Sequence, residues 1–414
     1  MHYQLTFPSR RIHAAVALPP SKSISNRVLI IHALAGGNCL PANLSDCDDT
    51  RVMVEALSRR RGEGEGVIDI MAAGTAMRFL TAYLSVTPGV HVITGTERMR
   101  QRPIRILVDA LRELGAAIEY MENDGYPPLR ITGKALAGQA ISLKGDVSSQ
   151  YISALLMIAP TLQEGLRLSL AGEIISRPYI DLTLQLMETF GVQAGWDSES
   201  SLSIRHQPYR STPFTVESDW SAASYWYQLL ALAQSGEVEL RGLLPDSHQG
   251  DSRGAEIFSR LGVSTTFTDR GALLKKTGCC TARLDEDMTG VPDLAQTIAV
   301  TCALLNIPFS LRGLQTLKIK ETDRMAALIA ETAKLGYAIG ERNNAELFWN
   351  GERIPPQEQP LIQTYEDHRM AMAFAPAAIR LPQLAIAEPQ VVTKSYPAYW
   401  EDLKKAGAHI QTVH

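Results

Sequence analysis

The sequence predicts an α/β protein made of two similar lobes. The main observation is a repeated pattern in which an amphipathic segment ends at a glycine and a β-like run follows. Five such glycines, at intervals of 76, 71, 74 and 71 residues, are Gly115, Gly191, Gly262, Gly336 and Gly407. A glycine directly after an amphipathic stripe is typical of a helix C-terminus. A weaker copy, from Asp49 to Gly62, brings the pattern to six units.

Two further observations support this prediction, namely the length of the chain and the residues at which the units begin. The 414-residue chain, 45% apolar, is long enough for more than one core. In the clearest unit, Arg102-Pro103 precedes an apolar stripe with helical spacing from Ile104 to Leu114. The other starts are Asp49-Thr50, Arg177-Pro178, Ser252-Arg253, Glu321-Thr322 and Tyr396-Pro397. Each unit suits a helix with several strands rather than a solenoid repeat, which favours two lobes of three units.

The remaining elements are placed around these units. We predict a first strand from Tyr3 to Ala17, before the break at Pro19-Pro20, and a lobe boundary between Pro213 and Asp219. The alternation of Arg98 and Arg100 predicts a solvated edge strand. The charged run at 59–65 predicts an exposed turn.

Composition excludes several classes of function. The 40 Lys and Arg against 44 Asp and Glu give no global positive field for nucleic acid or an acidic membrane. The first twenty residues contain no continuous apolar region of the kind found in signal peptides, and no later apolar run is long enough to span a membrane, so we expect a cytoplasmic protein. We also expect a monomer. The P-loop and GxGxxG motifs are absent, which argues against nucleotide-driven phosphoryl transfer and hydride transfer.

We predict no metal centre and no cofactor. The nine histidines lack HExxH or HxH spacing. The five cysteines lack a CxxC pair, and we interpret all of them as reduced and structural. They are Cys39, Cys47, Cys279, Cys280 and Cys302.

Basic side chains recur in short motifs at predicted helix starts, where free backbone N–H groups favour anions. In the motif from Pro20 to Arg27, Ser21 or Ser23 can cap a helix that also carries Lys22 and Arg27. Arg suits a carboxylate and Lys suits a phosphate. A simple capped surface helix is the alternative for this motif alone.

Three further motifs fit the same interpretation. Small residues around Gly74 would let backbone amides approach a ligand, although a helix packing site would look similar. The Ser148-Ser149-Gln150 and Ser176-Arg177-Pro178-Tyr179 motifs offer hydroxyls and an amide at helix starts. As single motifs, both would be helix caps.

The last third of the chain adds charged groups that suit proton transfer. Lys320 and Arg324 would share a helix face beside Glu321, and a carboxylate among cations is held ionised. Asp293 precedes an apolar helix, where it could be an N-cap or a base. Asp367-His368-Arg369 and Lys394 also stand next to predicted helices. An ordinary charged helix start is the alternative for the segment 320–324.

In this order the motifs resemble the 5-enolpyruvylshikimate-3-phosphate (EPSP) synthase family along almost the whole chain. The matching sequences are PSKSxSNR, AGTAMR, RPI, SSQ, SRPY, KETDR, DHRMAM and TKSYP. The resemblance implies two inside-out α/β barrel lobes, each of three βαβαββ units. It joins residues 1–19 to 219–414 in a C-terminal lobe and leaves 20–218 as the N-terminal lobe. The lobes would close on the substrate.

The resemblance also implies the reaction. The enolpyruvyl group of phosphoenolpyruvate would pass to the 5-hydroxyl of shikimate 3-phosphate by addition and elimination, with release of phosphate and without a cofactor. This is a step of the shikimate pathway towards chorismate and the aromatic amino acids.

Site residues follow from the same resemblance. Those implied for shikimate 3-phosphate are Lys22, Ser23, Arg27, Ser148, Ser149, Gln150, Ser176, Tyr179, Asp293, Thr316 and Lys320. Those implied for phosphoenolpyruvate are Lys22, Gly74, Arg102, Gln150, Arg324, Arg369 and Lys394. Arg27 would hold the shikimate carboxylate and the serines its phosphate. Asp293, helped by Lys320, would take the 5-hydroxyl proton. Glu321 would protonate the methylene carbon, and Lys22 would assist departure of the phosphate.

Three departures from the family pattern bear on affinity rather than on reaction type. Ala72 and Thr316 each stand where asparagine is usual, and residues 58–69 are contracted. The nearest rival, the enolpyruvyl transferase acting on UDP-N-acetylglucosamine, carries a loop cysteine near the region 94–103, where this chain has none. A non-catalytic phosphosugar-binding protein would be expected to lose Asp293 or Glu321, and both are present.

Overall fold

The structure is a computed structural model that describes residues 1–37, 40–58 and 66–413. Cys39, Gly62 and the turn predicted at 59–65 lie outside the described residues. The chain divides into two compact units. The C-terminal unit comprises Met1–Pro19 and Glu217–His414, and the N-terminal unit comprises Pro20–Val216.

Helices and strands alternate along most of the described chain. The α-helices are α1 (Lys22–Leu34), α2 (Asp48–Ser58), α3 (Gly74–Val86), α4 (Glu97–Arg100), α5 (Arg105–Glu113), α6 (Ser149–Ile158), α7 (Arg177–Thr189), α8 (Trp220–Leu232), α9 (Gly254–Ser259), α10 (Ala295–Leu305), α11 (Arg324–Lys334), α12 (His368–Phe374) and α13 (Tyr399–Lys405). The strands are β1 (His2–Thr6), β2 (Arg11–Ala17), β3 (Gly66–Asp69), β4 (Gly89–Thr94), β5 (Ala117–Tyr120), β6 (Leu129–Gly133), β7 (Ala140–Lys144), β8 (Leu166–Ala171), β9 (Ala194–Ser198), β10 (Ser201–Ile204), β11 (Ser235–Arg241), β12 (Val263–Thr268), β13 (Gly271–Lys276), β14 (Leu284–Asp287), β15 (Phe309–Arg312), β16 (Gly340–Arg342), β17 (Glu346–Trp349), β18 (Leu361–Ile362), β19 (Leu384–Ala387) and β20 (His409–Val413). Short 3-10 helices are Ala159–Thr161, Gly250–Arg253, Pro292–Leu294, Gln315–Ile319, Ala375–Ile379 and Pro389–Lys394.

The sheets of the described strands share one plan. Each has four strands, with one parallel pair followed by two antiparallel partners. The orders are β3-β4-β6-β5 and β7-β8-β10-β9 in the N-terminal unit, and β2-β11-β13-β12, β14-β15-β17-β16 and β18-β19-β1-β20 in the C-terminal unit. The run β7-α6-β8-α7-β9-β10 is a βαβαββ unit. The predicted α/β fold class is confirmed.

The predicted first strand is wrong in one respect, because the structure divides it in two. β1 pairs with β19 and β20, whereas β2 pairs in parallel with β11 in a different sheet. The chain breaks between them at Pro8-Ser9-Arg10. Proline lacks the N–H group that a continuous strand would donate, which explains the break.

Helices fill the middle of each unit. Helices α1, α3 and α6 pack on one another in the N-terminal unit, and α8, α10 and α12 do so in the C-terminal unit. Every residue of α10 from Ala295 to Leu304 is buried, as expected of a helix that is apolar on all sides. The Thr301 hydroxyl donates to the Thr297 carbonyl 2.6 Å away, so burial leaves it satisfied.

The predicted helix ends are confirmed, since all five repeat glycines have positive φ, between 81° and 104°. The edge strand predicted for Arg98 and Arg100 is wrong. Both residues lie in α4, where the Thr96 hydroxyl accepts a hydrogen bond from the Met99 amide and caps the first turn. This local cap outweighs the alternating pattern. No helix in the described part of the chain combines the length and the apolar character needed to cross a membrane.

Candidate active site

The N-terminus of α1 carries the first group of predicted residues. Ser21 is the cap, accepting a hydrogen bond from the Ile24 amide at 3.4 Å. Lys22 follows, with its Nζ 3.5 Å from a carboxylate oxygen of Asp49 at the start of α2. Asp49 is held there because the neighbouring Thr50 hydroxyl donates to the Asn26 side chain of α1 at 2.8 Å. The result is a lysine at a helix N-terminus with one carboxylate partner.

Arg27 lies one turn further along α1 and is 3% exposed. Its Nε donates to the Thr183 hydroxyl at 2.8 Å, and its Nη1 donates to the Ser23 carbonyl at 2.9 Å. Its Nη2 donates to the Ser153 hydroxyl at 3.2 Å and to the Tyr179 carbonyl at 3.4 Å. Burial lowers the pKa of Arg27 to about 10, although Tyr179 acts in the opposite direction. Arg27 therefore ties α1 to α6 and α7.

Gly74, the first residue of α3, lies against two guanidinium groups. A Cβ atom at this position would lie 2.5 Å from Nη1 of Arg102 and 2.9 Å from Nη1 of Arg78. Arg78 donates to the Gly74 carbonyl at 2.9 Å. Arg102 makes no side-chain hydrogen bond or ion pair with the described residues, and its Nε is buried. The absent side chain thus lets two guanidinium groups lie against the start of α3, and that of Arg102 lacks an acceptor within the described chain.

Hydroxyl groups surround the starts of α6 and α7. Ser148 caps α6 by accepting from the Gln150 amide at 3.4 Å, and the Gln150 side chain donates to the Thr75 hydroxyl of α3 at 3.2 Å. Ser149 is the first residue of α6. Ser176, the residue before α7, has a left-handed backbone (φ 59°, ψ 35°), and its side chain does not cap the helix. A strained serine whose hydroxyl is not used as a cap suggests a binding role.

In the C-terminal unit, Asp293 lies among three cations. Its Oδ1 is 2.9 Å from Nη1 of Arg324 and 3.8 Å from Nζ of Lys320, and its Oδ2 is 3.0 Å from Nη2 of Arg369. Burial alone would raise the pKa of Asp293, but Arg369, Lys320 and Arg324 together lower it below its usual range. The carboxyl is therefore ionised and a weak base in this arrangement.

Arg324, the first residue of α11, links three carboxylates and is 2% exposed. Besides Asp293, its Nε donates to Asp367 at 2.6 Å and its Nη2 donates to Glu321 at 2.7 Å. Burial would lower the pKa of Arg324, but Asp367, Glu321 and Asp293 raise it. One fixed guanidinium thus holds both carboxylates for which proton-transfer roles were predicted.

The N-terminus of α12 supplies the remaining cations. Asp367 is fully buried and caps the helix by accepting from the Arg369 amide at 2.8 Å. Arg369 also donates to the backbone carbonyl of Asp293 at 3.2 Å. Lys394 donates to the Glu366 carbonyl, next to the cap, at 2.8 Å. Arg369 and Lys394 therefore both meet the start of α12.

The segment before α11 differs from the prediction. Lys320 and Glu321 precede the helix, which begins at Arg324 after the cap Asp323, so Lys320 and Arg324 do not share a helix face. Asp323 caps the helix by accepting a hydrogen bond from the Ala326 amide, so the helix begins later than the charge pattern predicted. Thr316 lies in the 3-10 helix Gln315–Ile319, and its buried hydroxyl has no hydrogen-bond partner in the described residues.

Sequence reasoning missed two residues next to Arg369. The Ser221 hydroxyl, in the first turn of α8, accepts from Nη2 of Arg369 at 3.4 Å and donates to Asp251. Asp251 is 4% exposed in the 3-10 helix Gly250–Arg253. The sequence signal was weak, because a single aspartate after Gln249-Gly250 is typical of an ordinary turn.

The two groups of residues differ in the chemistry they can perform. In the N-terminal unit, helix N-termini, hydroxyls, Lys22 and Arg102 suit a polyhydroxylated anion. In the C-terminal unit, Asp293 and Glu321 can exchange protons beside fixed cations.

Comparisons with known proteins agree with this chemistry. The family model described as EPSP synthase (3-phosphoshikimate 1-carboxyvinyltransferase) matches residues 7–403. A relative from Bacteroides fragilis named 3-phosphoshikimate 1-carboxyvinyltransferase is 64% identical over 411 residues, 99% of each chain. A relative of the same name from Tolumonas auensis is 38% identical, covering 95% of this chain and 96% of its own.

Solved structures are similar in fold. EPSP synthase from Acinetobacter baumannii has a TM-score of 0.76 at 20% identity and covers all of both chains. The enolpyruvyl transferase NikO from Streptomyces tendae has a TM-score of 0.71 at 15% identity, covering 99% of this chain and 98% of its own.

Proposed function

Because the chain belongs to the EPSP synthase family, we propose that the two groups of residues described above carry out the reaction of that family. The reaction itself follows from the family. The chain transfers the enolpyruvyl group of phosphoenolpyruvate to shikimate 3-phosphate and releases phosphate, as a transferase of the shikimate pathway.

The N-terminal unit binds shikimate 3-phosphate in this proposal. Ser148, Ser149 and Ser176 bind its phosphate, since hydroxyls and helix N-termini are good donors to phosphate oxygens. Gln150 and Tyr179 contribute to the same site. Arg27, tied to Ser23 and the Tyr179 backbone, orients the helix starts and faces the shikimate carboxylate.

The cations proposed to bind phosphoenolpyruvate occur in each unit. Lys22, Gln150 and Arg102 take part in the N-terminal unit, where Gly74 lets the Arg102 guanidinium lie against the start of α3. From the C-terminal unit, the cations are Arg324, Arg369 and Lys394. Arg324 and Arg369 are already paired with Asp293, so a bound phosphate or carboxylate competes with Asp293 for them.

This competition gives Asp293 its strength as a base. While Arg324, Arg369 and Lys320 all face it, its pKa is too low for efficient proton abstraction. Phosphoenolpyruvate is the enolpyruvyl donor and is an anion. When this donor takes up part of the positive charge of the three cations, the pKa of Asp293 rises towards its ordinary value. Asp293 then accepts the proton of the 5-hydroxyl group as that oxygen attacks C2 of the enol. Base strength is thereby coupled to binding of the donor.

Glu321 completes the addition by giving a proton to the methylene carbon. The electron pair of the former C2–C3 double bond forms the new C–H bond at C3. The product of this step is an adduct in which C2 is tetrahedral and still carries the phosphate. In the elimination, the Glu321 carboxylate left by the first step takes a proton back from the new methyl group, the C2–C3 double bond forms again and the C2–O bond to phosphate breaks. Glu321 therefore begins and ends the cycle as the acid, and the proton held by Asp293 passes to the phosphate. Lys22 stabilises the departing phosphate, which carries away the electron pair.

One observation carries the proposal. A single buried guanidinium, that of Arg324, holds Asp293 at 2.9 Å and Glu321 at 2.7 Å. A base and an acid linked by one cation fit a reaction in which both protons move while an anion is bound. Thr316 and Lys320 bind shikimate 3-phosphate in the proposal.

Phosphate release tests the proposed function. Purified protein is mixed with phosphoenolpyruvate and either shikimate 3-phosphate or UDP-N-acetylglucosamine, without added nucleotide cofactor. We expect release that depends on shikimate 3-phosphate. Phosphate release with the nucleotide sugar alone, or no release with either acceptor, would overturn the proposal.

We also propose that the enzyme works as a monomer in the cytoplasm. Light scattering at working concentration tests this, because a mass near 45.4 kDa is expected and twice that mass would contradict it. Cell fractionation tests the location.

A further inference from the structure

A buried carboxyl group, Asp251, lies beside the proposed donor site and has no role in the mechanism above. One of its oxygens accepts the hydroxyl proton of Ser221. Its other oxygen, Oδ1, is buried without a hydrogen-bond partner among the described residues. Burying a carboxyl group with an unused acceptor is costly, so its position calls for a compensating role.

Ser221 connects this carboxyl group to a donor-binding cation. Its hydroxyl oxygen accepts a hydrogen bond from Nη2 of Arg369 at 3.4 Å, and its hydroxyl group donates a hydrogen bond to Asp251. A hydroxyl has one proton, so its donation to Asp251 turns its lone pairs towards Arg369. The direction of the Ser221 hydroxyl, and with it one of the contacts of Arg369, therefore depends on Asp251 as the acceptor.

The backbone around Asp251 is fixed by other contacts. The Gln249 side chain donates to Glu217 at 2.7 Å and to the Ser218 carbonyl at 2.8 Å, and it accepts from the Trp220 amide at 3.2 Å. These bonds attach the segment before Asp251 to the N-terminus of α8, which carries Ser221. The carboxyl and the hydroxyl are thus held as a pair independently of Arg369.

We propose that Asp251 is a positioning residue for the donor site, acting through the Ser221 hydroxyl to orient the Arg369 guanidinium towards phosphoenolpyruvate. This inference rests on the proposed function, since it takes Arg369 as a donor-binding residue. It adds a residue from the start of α8 and one from the 3-10 helix before α9 to the set that determines affinity for the donor.

The charges that face Asp251 support this role. Burial raises its pKa to about 6, with a further increase from Asp293 that Arg369 and the Ser221 hydrogen bond partly offset. Asp219, the N-cap of α8, also raises it. Above this pKa the group is an ionised acceptor that commits the Ser221 proton, and below it the group is neutral and no longer does so.

Initial-rate kinetics between pH 5.5 and 8.5 test the proposal, with Asp251→Asn and Ser221→Ala. The amide introduced by Asp251→Asn would resemble the protonated carboxyl at every pH. We therefore expect Asp251→Asn to raise KM for phosphoenolpyruvate about fivefold at pH 8, and the variant and wild type to converge at pH 5.5. Ionisation of the substrates affects both proteins equally. Ser221→Ala should raise the same KM by about as much, and the double variant no further.

Matched controls separate positioning from general damage. Ser224→Ala removes a buried hydroxyl one turn along α8, and Asp402→Asn neutralises a buried carboxyl elsewhere in the unit. Both should leave KM for phosphoenolpyruvate unchanged, and all variants should leave KM for shikimate 3-phosphate unchanged. An Asp251→Asn to wild-type ratio that is constant across pH, or an unaltered KM in Ser221→Ala, would overturn the inference.

Arg369→Lys separates this inference from the proposed function. If it leaves KM for phosphoenolpyruvate unchanged, the assignment of Arg369 to the donor fails, and the inference fails with it. If Arg369→Lys raises that KM while Asp251→Asn and Ser221→Ala do not, only the inference fails.

Discussion

The two units use their buried arginines in opposite ways. Within the described part of the chain, Arg27 in the N-terminal unit donates only to hydroxyls and carbonyls, so it braces three helices without neutralising a carboxylate. Arg324 in the C-terminal unit is equally buried but pairs with three carboxylates. An anion can bind beside Arg27 without displacing a carboxylate from it, whereas it must compete with carboxylates at Arg324. The first group therefore suits binding, and the second couples binding to a change in pKa.

The largest expected effect is on the rate of phosphate release, after substitution of either proton-transfer carboxylate in the C-terminal unit. Asp293→Asn and Glu321→Gln should each lower the rate of phosphate release by about 10²- to 10⁴-fold, since each removes one proton transfer. Both should still bind shikimate 3-phosphate, because the hydroxyls of the N-terminal unit are intact. Calorimetric titration with shikimate 3-phosphate and a phosphate-release assay check the two expectations. Turnover at the wild-type rate would remove the altered residue from the mechanism.

Stability should change in opposite directions at two neighbouring carboxyls. The raised pKa of Asp251 means that the folded protein loses stability as pH rises from 3.8 to about 6, at a cost of roughly 3 kcal/mol at most above that window. Asp251→Asn should therefore unfold at higher denaturant concentration than wild type at pH 8, with less difference at pH 5.

Asp293→Asn should behave in the opposite way. The pKa of Asp293 is lowered, so its contribution to stability is present above pH 3.8 and lost only as pH falls below that value. The variant should be less stable than wild type at both pH 5 and pH 8. Urea unfolding at the two pH values checks both variants, and equal shifts in the same direction would contradict the charge assignment.

A tenfold effect is expected from Gly74→Ala. The new Cβ would lie 2.5 Å from Arg102 and 2.9 Å from Arg78, so the guanidinium groups must shift, and Arg102 leaves the position from which it is proposed to bind phosphoenolpyruvate. KM for phosphoenolpyruvate should rise by roughly tenfold, equivalent to about 1.4 kcal/mol. Gly195→Ala is the matched control, because nothing lies within 4 Å of its Cβ. A KM that is the same in both variants would sink the steric argument.

The smallest expected effect concerns Thr316. Its hydroxyl has no partner among the described residues, so Thr316→Val should leave the free energy of unfolding nearly unchanged. If the hydroxyl contacts shikimate 3-phosphate, KM for that substrate should rise about threefold, in line with loss of one neutral hydrogen bond. Urea unfolding and initial rates check both points. A clear loss of stability without a change in KM would make Thr316 a structural residue.

Much of the fold follows from local signals. A glycine after an amphipathic stripe predicts a helix end because only glycine adopts positive φ at little cost, and the five glycines do so. The break at Pro8 and the helix at Arg98 were missed. The first depends on strand partners far away in the chain, and the second on a single capping threonine.

The site residues divide in the same way. The charged motifs around Lys22, Arg324 and Arg369 are visible because cations at helix starts have a physical reason to be there. The roles of Asp251 and Ser221 are not visible, since they depend on which elements meet at Arg369. Sequence spacing gives neighbours along a helix but not contacts between α8, α12 and a 3-10 helix.

Hydrogen exchange at C3 of phosphoenolpyruvate tests most directly the claim that the C-terminal unit moves the protons. Wild-type protein is incubated in D₂O with phosphoenolpyruvate and shikimate 3-phosphate, and the C3 protons are followed by proton NMR. We predict deuterium incorporation by wild type, through the methyl group of the adduct, and almost none by Glu321→Gln or Asp293→Asn. Incorporation by Glu321→Gln at the wild-type rate would contradict the claim.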